Sequence, residues 1–179
     1  MVQITTHRLC LRDFESNDVE AIHRIATTKG FHFYSLDGTK ENAKEFVTKA
    51  IDMARKGDAR TSFKMAVTHD GQCIGYAAFD DLHAPKDDTP DIGYLIDPQF
   101  QRRGFACEAM GALMKYCYDS RPQLDVSWLT VHPENIASKK VAGRLGFERA
   151  VHGVVEKPYG PRLVYSTNRR RLRYHGLIS

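Results

Sequence analysis

The chain contains no long apolar run and little cysteine. No segment approaches the roughly 20 consecutive apolar residues that a membrane-spanning helix needs. The opening residues, MVQITTHRLCLRDF, lack the basic and then apolar pattern of a secretory signal. The four cysteines have neither CxxC spacing nor the neighbouring histidines of a zinc site, and we interpret them as reduced packing residues. These absences predict a soluble, cytoplasmic protein with no membrane association and no bound metal.

Acidic residues are missing from the C-terminal end of the chain. Residues 169–179, RRRLRYHGLIS, hold four arginines (Arg169, Arg170, Arg171 and Arg173) and no acid, and the net charge of the whole chain is +4. With 179 residues, 42% of them hydrophobic, the chain is long enough for one well-buried core and short for two. We predict a single domain over residues 1–168 and a basic C-terminal tail over residues 169–179. The tail is the part suited to contact nucleic acid, although solvated or subunit-docking tails are commoner, and a homodimer is left open.

Hydrophobic periodicity predicts strands and helices in a mixed order. A capping-box pattern at Asn17 and Glu20 opens the first predicted helix, and Asp70-Gly71 is a strong hairpin-turn signal. The predicted elements are strand 9–14, helices 17–28 and 39–57, hairpin strands 62–68 and 73–79, strand 91–96, helix 104–118, strand 126–131, a short helix closed by Gly146, and strands 149–157 and 162–168. This order predicts an α/β (α+β mixed) fold, in which a central, mostly antiparallel sheet with one parallel strand pair carries helices on both faces.

The most informative stretch is DIGYLIDPQFQRRGFA, residues 91–106. An apolar, β-prone segment ends at Asp97-Pro98, and helical spacing begins at Gly104. The first N–H groups of a helix have no internal partner and attract anions, and a glycine there lets an oxyanion approach the main chain closely. Arg102 and Arg103 add positive charge at the rim. The turn alone fits a phosphate site, and it also fits the flexible start of an ordinary helix.

Two spaced motifs resemble the GNAT superfamily of N-acetyltransferases. The first is Gln101-x-x-Gly104-x-Ala106 after a short strand. The second is His132-Pro133-x-Asn135-x-x-Ser138, followed by Leu145-Gly146-Phe147, after the next strand. The resemblance covers most of the chain from Leu9 to Asn168 and is greatest to the branch that acetylates the N-termini of ribosomal proteins. It implies a GNAT-like fold whose splayed central strands bind acetyl-CoA, as co-substrate, in a V-shaped cleft.

The resemblance also implies how the coenzyme is held. Backbone groups of Leu95, Ile96 and Asp97 would pair with the pantetheine arm, and Asn135 would hydrogen-bond that arm from the other wall. The main-chain amides at the start of the helix would hold the pyrophosphate. They are the amides of Arg102, Arg103, Gly104, Phe105 and Ala106, and the preceding Gln101 completes the cofactor-binding segment. Asn135 is also well placed to be an ordinary helix N-cap.

The resemblance assigns catalytic roles with one departure from the family pattern. Many members place a tyrosine acid where this chain has Ala142, so Ser138 would protonate the leaving thiolate, unless its hydroxyl only caps the helix. Main-chain N–H groups from Tyr94 to Ile96 would stabilise the oxyanion. As general base we consider Asp91 first, and then three residues of the preceding loop, Asp80, Asp81 and His83.

The function implied is acetyl transfer from acetyl-CoA to a primary amine by direct attack in a ternary complex. The acceptor would be a protein N-terminus or a small-molecule amine such as a polyamine or an aminoglycoside. The alternative is a non-catalytic module that binds or senses acyl-CoA and docks through its basic tail. Ala142, which replaces the tyrosine acid, is the sequence feature that supports this alternative.

Overall fold

The computed structural model describes residues 2–28, 36–80, 91–157 and 160–178. Within these ranges the chain forms eight strands and five α-helices. The strands are β1 (Gln3–Thr5), β2 (Cys10–Asp13), β3 (Phe63–His69), β4 (Gln72–Asp80), β5 (Asp91–Ile96), β6 (Val126–Val131), β7 (Glu148–Lys157) and β8 (Gly160–Asn168). The helices are α1 (Asp18–Ala26), α2 (Lys40–Ala54), α3 (Phe105–Ser120), α4 (Ile136–Arg144) and α5 (Arg169–Tyr174).

The strands form one sheet in the order β1-β2-β3-β4-β5-β6-β8-β7. Each neighbouring pair is antiparallel except β5 and β6, which run parallel. β5 and β6 share one bridge, Asp91 with Trp128, in the part of the chain that the structure describes. On its other side β5 is paired with β4 along its whole length. The two parallel strands therefore diverge beyond this bridge, which confirms the predicted mixed sheet with a splayed pair.

Two apolar cores lie on the two faces of the sheet. Helices α1 and α2 pack Ile22, Ile25 and Val47 onto one face, and these three side chains are fully buried. On the other face Met110 of α3 and Leu145, at the end of α4, are buried in the larger cluster. Helices therefore cover both faces, as the sequence predicts.

Local signals fixed most helix and turn positions. Thr39 caps α2 by accepting a hydrogen bond from the N–H of Asn42, and Asp70 and Gly71 form the hairpin turn with positive φ. The predicted capping role of Asn17 is wrong, because its side chain makes no cap hydrogen bond. The neighbouring Asp18 instead accepts from the N–H of Glu15 and pairs with Arg12.

The C-terminal residues pack on the domain and do not form the predicted tail. Leu172 of α5 is fully buried and Ile178 is 6% exposed, and both belong to the larger core cluster. Arg169 donates to the carbonyl oxygens of Tyr118 and Leu124, among others. The prediction relied on the four arginines, whereas Leu172 among them and Ile178 beyond them pack in the core.

β4 and β5 approach each other closely at the end of β5 that is farther from its bridge to β6. A Cβ atom added at Gly75 would lie 2.0 Å from the carbonyl oxygen of Leu95, so only glycine fits. The register between β3 and β4 also shifts next to Gly75, at Val67 and Thr68. This close approach sets the position of β5, and β5 forms one wall of the cleft.

Candidate active site

The turn before α3 presents its main chain outward. Arg102 and Gly104 both have left-handed backbone, with φ of 63° and 83°, and Gly104 is the N-cap of α3. Within the described chain, the N–H groups of residues 102–107 donate to no protein acceptor. Unpaired amides at a helix start, where the helix dipole is positive, favour an anion. The predicted pyrophosphate residues are therefore brought together in a suitable arrangement.

The backbone hydrogen bonds at the end of β5 correct the predicted pairing of Leu95 and Asp97 with the pantetheine arm. The N–H of Asp97 donates to the carbonyl of Ile74, and its carbonyl accepts from the N–H of Phe100. The carbonyl of Leu95 also points at β4, as its closeness to Gly75 shows. Leu95 and Asp97 therefore direct these groups away from the cleft. Alternate residues of an antiparallel strand present their backbone groups to opposite neighbours, so Ile96 and Tyr94 are the residues that face β6.

The side chains of Gln101 and Asp97 hold the chain in place between β5 and α3. The side-chain amide of Gln101 donates to the carbonyl of Ile96 at 2.8 Å and holds the turn against the strand end. The carboxylate of Asp97, which is buried, pairs with Arg24 of α1 and caps the following short turn through the N–H of Gln99. These contacts fix the path of the chain from β5 into α3.

Tyr94 and Ser138 meet across the cleft between β5 and α4. The Tyr94 Oη and Ser138 Oγ atoms are 2.7 Å apart, and Tyr94 is 8% exposed. Asn135 accepts from the N–H of Ser138 at 2.9 Å through its Oδ1 atom, so it is the N-cap of α4. The sequence had singled out the main chain of Tyr94 and missed its hydroxyl. The sequence signal for this role was a tyrosine in a strand predicted to be buried, because a buried tyrosine hydroxyl needs a hydrogen-bond partner.

A cavity of about 490 Å³ opens between the diverging strands. Tyr94, Asn135 and Ser138 lie on its wall, together with residues of α2, β3, β4 and β8. Among the described residues, the charged or histidine side chains that line it are Glu45, Lys49, Lys64, Asp80, His132 and Arg162. This cavity, called the chamber below, extends from the edges of β5 and β6 to charged residues of α2 and β3, which suits a long thioester arm and a second substrate.

The candidate bases are only partly described. Asp80 lines the cavity, accepts from the hydroxyl of Ser62 and lies 3.1 Å from Lys64 Nζ. Asp81, His83 and the side chain of Asp91 lie outside the described residues. His132 accepts from the N–H of Glu134 through Nδ1, so a neutral imidazole carries its proton on Nε2 and is a donor there.

A family profile described as the acetyltransferase (GNAT) domain matches residues 8–148. The chain belongs to this family. It is 31% identical over 150 residues to an N-acetyltransferase, YnaD, of Bacillus subtilis strain 168, a match covering 83% of this chain and 84% of the relative. The GNAT chain is therefore an acetyl-CoA-dependent N-acetyltransferase, and the fold and cofactor predicted from the two motifs are confirmed.

Solved structures share the fold. One is an acetyl transferase of Salmonella typhimurium, described as modifying the N-terminal serine of ribosomal protein L7/L12. It has a TM-score of 0.77 and 20% identity, and covers 93% of this chain and 99% of its own. Another is Mycobacterium smegmatis RimJ in complex with CoA-disulfide, with a TM-score of 0.74 and 17% identity, over 94% of this chain and 89% of its own. At these identities the likeness concerns the fold.

The site of this GNAT enzyme fits acetyl-CoA, which supplies the activated thioester. The open amides at α3 match two phosphates, and the edges of the splayed strands match an arm that carries amides. No group of three or more His, Cys, Asp or Glu side chains in the described ranges is placed to hold a metal ion. None of the helices described is both long and apolar enough to cross a membrane.

Proposed function

We propose that this enzyme acetylates the primary amine of a peptide N-terminus by direct attack, with Ser138 and Tyr94 as a proton-donating pair. The observation that carries the proposal is the 2.7 Å contact between their hydroxyl oxygens at the wall of the cleft. Ser138 lies in the first turn of α4, and Tyr94 lies in β5, the strand that would border the pantetheine arm. The hydroxyl pair therefore lies between the two walls of the cleft, β5 and α4.

The pair replaces the missing tyrosine at Ala142. Ser138 donates its hydroxyl proton to the departing sulfur, and Tyr94 donates to the Ser138 oxygen as negative charge develops there. Tyr94 then recovers, through water, the proton that the nitrogen loses as the amide forms, so the pair returns to its starting state. A serine hydroxyl is a weak acid alone, and a second hydroxyl that donates to it stabilises the developing charge. The cleft-facing N–H of Tyr94 or Ile96 stabilises the carbonyl oxygen.

The amine must lose a proton before it attacks. Asp80 faces the cavity but is already bonded to Ser62 and Lys64, which makes it a poor choice for strong proton abstraction. We propose that the attacking ammonium releases its proton to water in the open chamber, with Asp80 orienting that water.

The charges of the chamber favour a peptide over a polycation. Among the described lining residues there are three permanent cations, Lys49, Lys64 and Arg162, and two carboxylates, Glu45 and Asp80. A polyamine or aminoglycoside brings several positive charges and needs an acidic chamber. A peptide N-terminus brings one amine and a neutral backbone, and the aromatic wall of Phe46 and Tyr76, whose ring centroids are 4.8 Å apart, suits its first side chains.

The test is a thiol-release assay with acetyl-CoA and a panel of acceptors. The panel holds short peptides that differ in the first residue, the same peptides with blocked N-termini, spermidine and an aminoglycoside. We expect turnover with free peptide N-termini and none with blocked ones. A higher kcat/KM for spermidine or the aminoglycoside would show that the acceptor class is wrong.

Two variants test the proton-donating pair in the same assay. Ser138→Ala should lower kcat by about a hundredfold, because general acid catalysis contributes at least that much, with little change in the Kd for CoA. Tyr94→Phe should lower kcat less, and adding it to Ser138→Ala should have little further effect because the two hydroxyls act in series. Ser120→Ala, whose hydroxyl bonds locally within α3, and Tyr174→Phe, 87% exposed, are the matched controls. Wild-type kcat in Ser138→Ala would remove the pair from the mechanism.

A further inference from the structure

An arginine from the start of the chain lies against the N-terminus of α3. Arg8 lies between β1 and β2, and its guanidinium donates to the carbonyl of Arg103 at 2.9 Å. The same group lies 4.6 Å from the centroid of the Phe105 ring, and a Cβ atom added at Gly104 would be 3.5 Å from its Nη2 atom. Arg8 therefore borders the open amides, although about 95 residues of sequence separate it from them.

Glu108 places a negative charge in the first turn of the same helix. One carboxylate oxygen accepts from the hydroxyl of Thr6 at 2.6 Å and from the N–H of Arg8 at 2.9 Å. The other accepts from Arg8 Nε at 2.8 Å and lies 2.6 Å from Nη2. Partial burial by itself raises the pKa of Glu108, but the hydrogen bonds from Thr6 and Arg8 outweigh it and hold the pKa below its ordinary value.

This acid is poorly placed for an anion site unless its charge is compensated. A carboxylate at a helix start competes with any phosphate that approaches the same amides, because both are attracted by the helix dipole. The Arg8 side chain binds the carboxylate through two nitrogens, and together with Thr6 it ties the carboxylate to the segment between β1 and β2. The backbone of Arg8 is itself fixed, since its carbonyl lies 3.0 Å from Nδ1 of His69.

We infer that Arg8 is a positioning residue for the coenzyme diphosphate, acting by neutralising Glu108 and holding the turn at Arg103. The inference rests on the coenzyme binding at the start of α3. It goes beyond the motif residues, because neither Arg8 nor Glu108 is part of the glycine turn. Arg8 makes the site electrostatically suitable for two phosphates, and Glu108 ties the turn to the first strands.

The experiment compares three ligands on four variants by calorimetry, with competition against CoA for the weakest. CoA and 3′-dephospho-CoA both carry the diphosphate, and pantetheine carries no phosphate. The variants are Arg8→Met, Glu108→Gln, the double variant, and Arg55→Met as a control, since Arg55 is an exposed, paired arginine on the far side of the sheet. Methionine keeps an apolar stem against Phe105 and removes the charge.

Arg8→Met should raise the Kd of CoA and dephospho-CoA by the same factor, about tenfold, and leave pantetheine unchanged. Glu108→Gln should bind both diphosphates at least as well as the parent enzyme, and the double variant should return to within about threefold of it. Arg55→Met should match the parent for all three ligands.

Other outcomes overturn the inference. A loss that includes pantetheine would mean that Arg8 only supports the fold. A loss of affinity for CoA alone would assign Arg8 to the 3′-phosphate. A loss of affinity that persists in the double variant with Glu108→Gln would show that Arg8 does not act by neutralising Glu108. If Arg8→Met does not fold, Glu108→Gln decides, because weaker diphosphate binding in that variant contradicts the argument. Failure of the parent enzyme to bind CoA at all would instead refute the coenzyme site itself.

Discussion

Substitution of Gly104 tests the geometry of the anion site at its centre. Gly104 caps α3 with φ of 83°, and it lies between the two arginines of the turn and the first helical residue. Two changes separate conformational strain from steric blockage. Gly104→Ala adds one methyl group, and Gly104→Val adds a branched side chain at the same position, where the Cβ atom would lie 3.5 Å from Arg8 Nη2. Gly143→Ala in α4 is the matched control, because an added Cβ there meets nothing within 4 Å.

The magnitudes follow from the backbone and from the amides. A non-glycine residue in the left-handed region costs about 1–2 kcal/mol, so Gly104→Ala should lose that much stability and β-branched Gly104→Val at least that much. Gly143→Ala should gain about 0.5–1 kcal/mol, since alanine is the better helix former. Hydrogen bonds to a charged group contribute about 1.5–3 kcal/mol each, so valine, which keeps a phosphate from even one amide, should raise the Kd of CoA about tenfold to a hundredfold.

The assays are urea unfolding for stability and calorimetry with CoA on the folded protein. Alanine should reduce stability with a modest loss of affinity, and valine, measured on the folded protein, should reduce affinity much more. CoA binding to Gly104→Val with unchanged Kd would refute the helix-start site, whatever the stability. A destabilised Gly143→Ala would show that the stability scale does not apply to this protein.

Three further predictions concern stability and titration. Leu172→Ala should cost about 2–5 kcal/mol in urea unfolding because the side chain is fully buried, whereas exposed Arg170→Ala should be nearly neutral; equal effects would show that α5 does not pack on the core. Burial raises the pKa of Cys73 to about 11 and that of Cys117 to about 12, so a thiol reagent at pH 8 should spare both until the protein unfolds; rapid labelling of either in the native enzyme would contradict the packing. Because the pKa of Glu108 is lowered on folding, its contribution to stability should be complete above the ordinary glutamate pKa and lost as the pH falls through the folded value; Glu108→Gln should flatten that part of the acid unfolding curve, and an unchanged curve would contradict the shift.

The sequence predicted those parts of the fold that depend on local signals. The hairpin at Asp70-Gly71, the cap at Thr39 and the glycine that starts α3 each follow from one or two residues, and the structure has them in place. The short first strand was missed, because three residues carry too little periodicity to be recognised. The basic tail was misjudged because Leu172 is a single apolar residue among arginines and Leu177-Ile178 is only a short apolar pair, and only the tertiary structure shows where they pack.

The candidate site was predicted where one short segment builds it and missed where distant segments meet. The turn at residues 101–106 is contiguous, so its spacing was visible. The hydroxyl contact of Tyr94 with Ser138 joins residues 44 positions apart, and the Arg8 contacts span even more of the chain. The ladder at Leu95 and Asp97 was mispredicted for a different reason. Which edge of a strand a given backbone group faces depends on the register with β4, and no residue type encodes that register directly.

In the described residues one bridge joins β5 to β6, and the divergence of these strands divides the sheet into two leaves, one of five strands and one of three. A ligand arm whose amides bond to the facing edges of β5 and β6 would supply hydrogen bonds that the two strands do not make with each other. Separating the two leaves would then require breaking those hydrogen bonds as well. Amide hydrogen exchange along β6 should therefore slow when CoA fills the gap, and much less when inorganic diphosphate occupies only the helix start. Bound in the proposed way, the coenzyme arm would be a temporary strand that completes the sheet.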